Sequence, residues 1–115
     1  SLVKRRGIMN VQLKKGVLQL VVLQEISMND QYGYDLSQNI SKYLSIADGT
    51  LYPMLRRLVS EGYLETYMGK ASGGPQRKYY AITKEGIRYL ETLKNEWYEL
   101  VDAVNLLIQK KDERE

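Results

Sequence analysis

The stretch from Asp48 to Leu64, DGTLYPMLRRLVSEGYL, restricts the fold more than any other part of the chain. Leu51, Leu55, Leu58 and Val59 recur at i, i+4, i+7 and i+8, the apolar stripe of an amphipathic helix. Pro53 lies inside that stripe, where a proline removes a backbone donor and disfavours helix at the residue before it. The two facts are compatible if the helix begins a few residues upstream. Pro53 then falls in or just beyond the first turn, whose amides have no partner within the helix. Two starts satisfy this: a late one capped by Thr50, and an early one at Asp48 with a slight bend. Gly62 stands where a helix of this length needs its left-handed stop. Opposite the apolar stripe lie Gly49, Thr50, Tyr52, Pro53, Arg56 and Arg57, a face that is small and hydrogen-bonding at its start and basic further on. A face that only meets water mixes acids with bases and seldom carries a tyrosine and a proline, so this one reads as functional.

Composition removes several functions. A chain of 115 residues builds one core and not two. There is no cysteine, hence no disulfide framework and no thiolate metal site. There is no histidine, the usual general base and the commonest zinc ligand. No pair of acids is spaced to share a cleft, so no catalytic residue, metal site or cofactor is expected. The apolar run Val17, Leu18, Leu20 to Leu23 is too short to span a bilayer, and no small-residue cleavage site follows it, which predicts a cytoplasmic protein. Residues 1–80 hold 11 Lys and Arg against 6 Asp and Glu, a net +5, whereas residues 81–115 hold 6 against 8, a net −2. A basic front part suits a surface that meets phosphates, although solubility alone also accounts for so modest an excess.

The elements follow in order. Val11 to Ile26 is apolar enough for a largely buried first helix, with Asn10 as its cap and Gly16 in its middle under a closely packed neighbour. After MND comes a second helix, with Asp30 as N-cap and Leu36, Ile40, Tyr43 and Leu44 facing inward. SIAD leads to the third helix. YLETYMG and QRKYYAIT flank KASGGP, two β-prone runs with a Gly-rich tip, and so predict a two-stranded hairpin. That hairpin carries Lys70, Arg77 and Lys78, with no acid between Glu65 and Glu85. A helix pair followed by a basic hairpin is a winged helix-turn-helix, mainly α with a two-stranded β-wing. In such folds the second helix of the pair enters the major groove while flanking elements grip phosphates.

The last segment argues for a partner. After a cap at Thr83, Leu90, Leu93, Trp97, Leu100, Val104 and Leu107 alternate spacings of three and four, a heptad seam of about two and a half repeats. Val101 and Ile108 widen it beyond what one neighbour needs. The expected organisation is a DNA-binding domain over 1–82 and a dimerisation helix over 83–115, joined as one compact unit. The final helices pair either with each other or with the partner's first helix.

Several strings resemble the PadR-like transcriptional regulators over nearly the whole chain. LKKGVLQLVVLQEI is similar to that family's first helix, YGYDLSQNI to its second, GTLYPMLRRLVSEGYL to its recognition helix, and GGPQRKYYAITKEG to its wing and the start of the last helix. Ala47 departs from the pattern, since many relatives have a serine or similar capping residue there. The resemblance implies a homodimeric repressor on a palindromic double-stranded DNA operator, often released by a small molecule or a stress signal. On that footing Gly49, Thr50, Tyr52, Pro53, Arg56 and Arg57 address the groove and its phosphates. Lys14, Lys15, Tyr32 and Gly33 support phosphate contact near the second helix, and Lys70, Gly73, Arg77 and Lys78 form the wing's grip. A short branch of the family, the LmrR-like multidrug-binding regulators, is similar in ending with one such helix. In that branch a tryptophan near this place stacks flat aromatic ligands, which makes Trp97, with Glu96 and Asp102 beside it, a candidate effector site. The other reading of Trp97 is the largest residue of the dimer core. A winged-helix interaction module without DNA binding is the rival function, and the basic wing speaks against it.

Overall fold

The computed structural model describes residues 16–70 and 73–114. In chain order the elements are α1 (Leu18–Met28), β1 (Gln31–Tyr32), α2 (Gly33–Ser41), α3 (Asp48–Ser60), β2 (Leu64–Lys70), β3 (Gln76–Ile82) and α4 (Lys84–Arg114). The fold is mainly helical, with one antiparallel sheet in the order β1-β3-β2. The sequence predicts two strands, and the described residues form three. The added strand is Gln31–Tyr32, paired in register Gln31 with Tyr80 and Tyr32 with Tyr79. Two residues are too few to leave a period-two signal.

Among the described residues one core joins the four helices with β2 and β3. Val22, Leu23 and Ile26 of α1 meet Leu36 and Ile40 of α2, Leu51, Leu55 and Leu58 of α3, Leu64 of β2, Tyr80 of β3 and Leu90 of α4. Burying an aliphatic side chain of this size contributes about 1.5–3 kcal/mol, so these residues dominate the stability. The predicted stripe of α3 is therefore the one that faces inward, with Val59 half-buried against the same cluster.

Four local expectations change. Gly16 is not in the middle of a helix: it is exposed in the turn before α1, and a Cβ there would meet nothing within 4 Å among the described residues. Asn10 and residues 11–15 of the expected first helix lie outside the described residues. Asp30 does not cap α2, because the chain first enters β1; the N-cap position is Tyr32, with extended backbone and no capping side chain. Asp30 instead accepts a hydrogen bond from the Tyr67 phenol at 2.7 Å. Tyr43 does not face inward either. Helix α2 has ended at Ser41, the amides of Tyr43 and Leu44 both bond to the Ile40 carbonyl at 2.9 Å, and Tyr43 swings into solvent while Leu44 packs on the core.

Helix α3 takes the early start. The cap is Ala47, which has no side-chain bond to offer, and its carbonyl receives the amides of Thr50 at 2.9 Å and Leu51 at 3.0 Å. Pro53 is thus the sixth helical residue, just beyond the first turn. Its ring removes the amide that would regularly reach the Gly49 carbonyl. Both residues are exposed, so water can take the place of that donor. The other end closes as predicted. Gly62 has φ +86°, its amide bonds to the Val59 carbonyl at 3.0 Å, and the Tyr63 amide bonds to the Leu58 carbonyl at 2.9 Å. This pair of bonds is the Schellman closure, which needs a left-handed residue that glycine supplies at least cost.

Thr83 caps α4: its Oγ1 accepts the Gly86 amide at 2.9 Å and donates to the Gly62 carbonyl at 2.6 Å. One hydroxyl thereby satisfies the start of α4 and the stop of α3. The first turns of α4 are held in the body by buried Leu90, half-buried Leu93 and the stacking of Tyr89 on Tyr63, with ring centroids 4.2 Å apart. Farther on the apolar stripe is bare, with Trp97 39% and Leu107 68% exposed. Replacing Thr83 by Ala should lower the unfolding free energy by about 1–2 kcal/mol in denaturant titration, while Thr83→Ser should stay close to wild type.

Candidate nucleic-acid interface

The sheet register decides what each wing residue can reach. Directly paired residues point to the same face, so Leu64 with Ile82, Thr66 with Tyr80, Met68 with Lys78 and Lys70 with Gln76 share one side. Glu65 with Ala81, Tyr67 with Tyr79 and Gly69 with Arg77 share the other. Leu64 and Tyr80 are buried, which identifies the first side as the one that meets the helices.

On that side the wing and α3 enclose a shallow concavity of about 500 Å³. Tyr32, Gly33 and Tyr34 line it from the β1–α2 junction, Tyr52 and Arg56 from α3, and Gln76, Lys78 and Tyr80 from the inner face of β3, while Arg77, which the register turns to the other face, reaches it at the rim beside Tyr32. Three of these side chains are cationic and none is acidic. A smaller hollow of about 180 Å³ continues it toward the end of α3, between Arg56, Ser60, Thr66 and Lys78.

Two close contacts shape this surface. The Tyr52 ring lies directly against Gly33: a Cβ at that position would come within 2.5 Å of Cε1 and 2.8 Å of Oη. Gly33 is therefore buried beneath α3, and its missing side chain is what seats Tyr52. The Arg77 guanidinium lies 4.9 Å from the centroid of the Tyr32 ring, a cation–π contact that steadies the arginine beside the concavity. Tyr32 in turn meets Tyr79 edge-on at 5.6 Å.

The phenols around the site hold their protons. Tyr32 is raised above the ordinary tyrosine value by partial burial and then by its hydrogen bond to Asp35. Tyr80 is raised by burial, with Tyr52 adding to the shift and Arg56 opposing it. Both phenols thus stay protonated at neutral pH and add no negative charge to the surface that Arg56, Arg77 and Lys78 border.

The basic face foreseen on α3 divides in two. Tyr52 and Arg56 are one helical turn apart and look toward the wing, as do their neighbours in the concavity. Pro53 and Arg57 are about 100° further round the helix. There, with Gly16, Gln19, Met54 and Tyr89, they line a separate hollow of about 480 Å³ toward α1 and α4. Arg57 is held on that side by Glu61 Oε1 at 2.8 Å and Gln19 Oε1 at 3.1 Å. Gly49 and Thr50 are exposed at the start of α3, Lys70 is exposed at the end of β2, and Gly73 turns the wing tip with φ +77°. Lys14 and Lys15 lie outside the described residues.

Tyr34, Gln76, Thr66, Ser60 and Tyr80 join the surface without having been singled out from the sequence. Tyr34 stands in the same YGY string as Tyr32 and Gly33. Gln76 and Tyr80 are two residues either side of Lys78 and so share its face. Among the described residues no group of His, Cys, Asp or Glu could hold a metal ion, and no helix is long and apolar enough to cross a membrane.

A helix pair whose second member presents polar and basic side chains beside a basic, tyrosine-rich wing is a winged-helix DNA-binding protein. Residues 22–92 match the profile of the transcriptional regulator PadR-like family, and the chain belongs to that family. Its fold is similar to a PadR-like transcriptional regulator of Bacillus cereus, with 39% identity, a TM-score of 0.80, and coverage of 85% of this chain and 97% of that one. A Streptococcus mutans protein is similar at 36% identity and a TM-score of 0.77, over 83% of this chain and 89% of that one. An uncharacterized protein of Lysinibacillus sphaericus is 37% identical over 99 residues, 83% of this chain and 91% of its own length. The family is one of transcriptional regulators, not enzymes.

The contact between Gly33 and Tyr52 is testable by a double-mutant cycle. Gly33→Ala should cost about 1–3 kcal/mol of stability, because the added methyl overlaps the ring. In a Tyr52→Ala background the same change should cost close to nothing, since the space is then open.

Proposed function

We propose that this PadR-family regulator is a repressor that binds a palindromic operator as a homodimer and is released by a flat aromatic effector. One observation carries the DNA-binding geometry: Arg56 of α3, Lys78 on the inner face of the wing and Arg77 at its rim border one concavity with no acid in its lining. In the proposed complex Gly49 and Thr50, at the exposed start of α3, approach base edges in the major groove. Arg56, Lys70, Arg77 and Lys78 neutralise phosphates of the strand running between groove and wing, and Tyr52 donates to its oxygens, while Tyr32 steadies Arg77. Gly33 acts through Tyr52, and Gly73 by turning the wing tip. Lys14 and Lys15, which lie outside the described residues, are proposed as further phosphate contacts from the sequence alone. Pro53 and Arg57 border the face on its α1 side.

The homodimer is supported by α4. The helix has 31 residues, hence a length of about 46 Å, and only its first turns are covered by this chain's core. Trp97, Leu100, Val104, Leu107 and Ile108 stay exposed, with Val101 half-buried between them, a stripe longer than a soluble monomer leaves uncovered. A second copy of α4 buries it, starting beyond Leu90 and Leu93, which this chain's own core already covers. The effector reading is supported by Trp97, an exposed indole with exposed Glu96 and Asp102 on neighbouring turns, a setting that attracts a planar cation.

Two measurements test this. Replacing Arg77 and Lys78 together by Ala should weaken binding to every DNA sequence alike and flatten the log K against log salt slope by about one to two units. A folded dimer with an unchanged slope removes the wing from the mechanism. A planar cationic dye should quench Trp97 fluorescence, and Trp97→Ala should abolish dye binding while the protein melts normally. If Trp97 is dimer core alone, the dye leaves the fluorescence unchanged and the substitution costs about 3–5 kcal/mol and loosens the dimer.

A further inference from the structure

The outer face of the wing, turned away from the concavity, carries a second set of contacts. Tyr67 of β2 stacks on Tyr79 of β3 with centroids 5.5 Å apart and planes 13° apart. Its Oη donates a 2.7 Å hydrogen bond to Asp30 Oδ2, in the turn between α1 and β1. Strand β2 has no backbone pairing with β1, because β3 lies between them. The phenol–carboxylate bond therefore spans the full width of the sheet and fastens the hairpin's far strand to the helical body. Tyr67 is 45% exposed and its ring lies on the side opposite Lys78 and Arg56.

We infer that Tyr67 is a positioning residue for DNA binding: bonded to Asp30, it holds the wing at the angle to α3 that makes the two basic surfaces one. The inference rests on the DNA-binding reading of the concavity. The mechanical reason is leverage. Pairing with the helical body is confined to Gln31 and Tyr32, which meet Tyr80 and Tyr79, while Lys78 and Arg77 lie farther toward the tip. Tyr67 is level with Tyr79, on the opposite edge of the sheet from β1. With one edge tied by backbone bonds and the other by Tyr67, the hairpin cannot roll about the β1–β3 seam. A hydrogen bond to a carboxylate is stronger than one between neutral groups, which suits a restraint on an exposed surface. The same row of rings reaches Arg77 through Tyr79 and Tyr32, so the restraint ends at the cation that stands on this outer face and reaches the rim of the concavity.

The test compares wild type, Tyr67→Phe, Asp30→Asn, Asp30→Ala and Arg77→Ala/Lys78→Ala for binding to a short random-sequence duplex over a salt series, with a thermal melt of each. Tyr67→Phe keeps the stacking and deletes the bond; it should weaken binding roughly three- to tenfold and lower the salt slope by about one unit, at temperatures where the protein is fully folded. Asp30→Ala should match it, and Asp30→Asn, which keeps an acceptor oxygen, should recover most of the affinity. In the Arg77→Ala/Lys78→Ala background Tyr67→Phe should have a much smaller effect, because of the wing's cations only Lys70 is then left to be misplaced. Wild-type affinity and slope in Tyr67→Phe overturn the inference, and so does an equal loss in both backgrounds. A wild-type protein without salt-dependent duplex binding overturns the DNA-binding reading as well, which separates the two failures.

Discussion

Two residues, Gln31 and Tyr32, tie the wing to the helices, and the binding surface depends on that tie. Gln31 is buried, and both ends of its amide are satisfied: Nε2 donates to the Glu25 carbonyl at 2.9 Å, and Oε1 accepts from Asn39 Nδ2 at 2.9 Å. A buried amide left unpaired costs about 1–3 kcal/mol, so this arrangement fixes where β1 runs between α1 and α2. Pairing with Tyr80 and Tyr79 then places β3, and buried Tyr80 draws the whole hairpin against the core. Tyr32, the next residue, supports Arg77 from below. The geometry of the concave face is in this sense a consequence of one short stretch of backbone pairing.

Helix α3 divides its circumference among three tasks. Leu51, Leu55 and Leu58 anchor it. Tyr52 and Arg56 face the wing. Arg57 bridges to α1 through Gln19 and to Glu61 within the helix. The Arg57–Glu61 ion pair is well exposed on both sides, so it contributes little to stability, at most about 1 kcal/mol. Its effect is to orient a side chain that would otherwise be free to turn. Pro53 fits the same economy, since it sits on the exposed arc where the lost amide costs least. Helix α4 divides along its length instead, with its start sealed into the core by Thr83, Tyr89 and Leu90 and its later turns apolar yet open.

Spacing along the chain determined the elements. The stripe of α3, its stop at Gly62, the Thr83 cap, the hairpin and the strings shared with PadR-like regulators are all local patterns, set by steric and hydrogen-bonding preferences within a few residues. What lay beyond that range was decided by the tertiary structure. Asp30 carries a capping side chain by type, yet the approach of Tyr67, 37 residues away, gives it a different partner. Arg56 and Arg57 read as one basic face, but they stand about 100° apart on the helix, and Gln19, 38 residues from Arg57, holds Arg57 on the side away from the concavity. Gly33, expected from the resemblance to support phosphate contact, is instead covered by the Tyr52 ring. Strand β1 has no signal of its own, because its only reason to be extended is the edge that β3 presents. Each of these depends on which surfaces meet after collapse, and that is set by the packing of the one core rather than by the preferences of neighbouring residues.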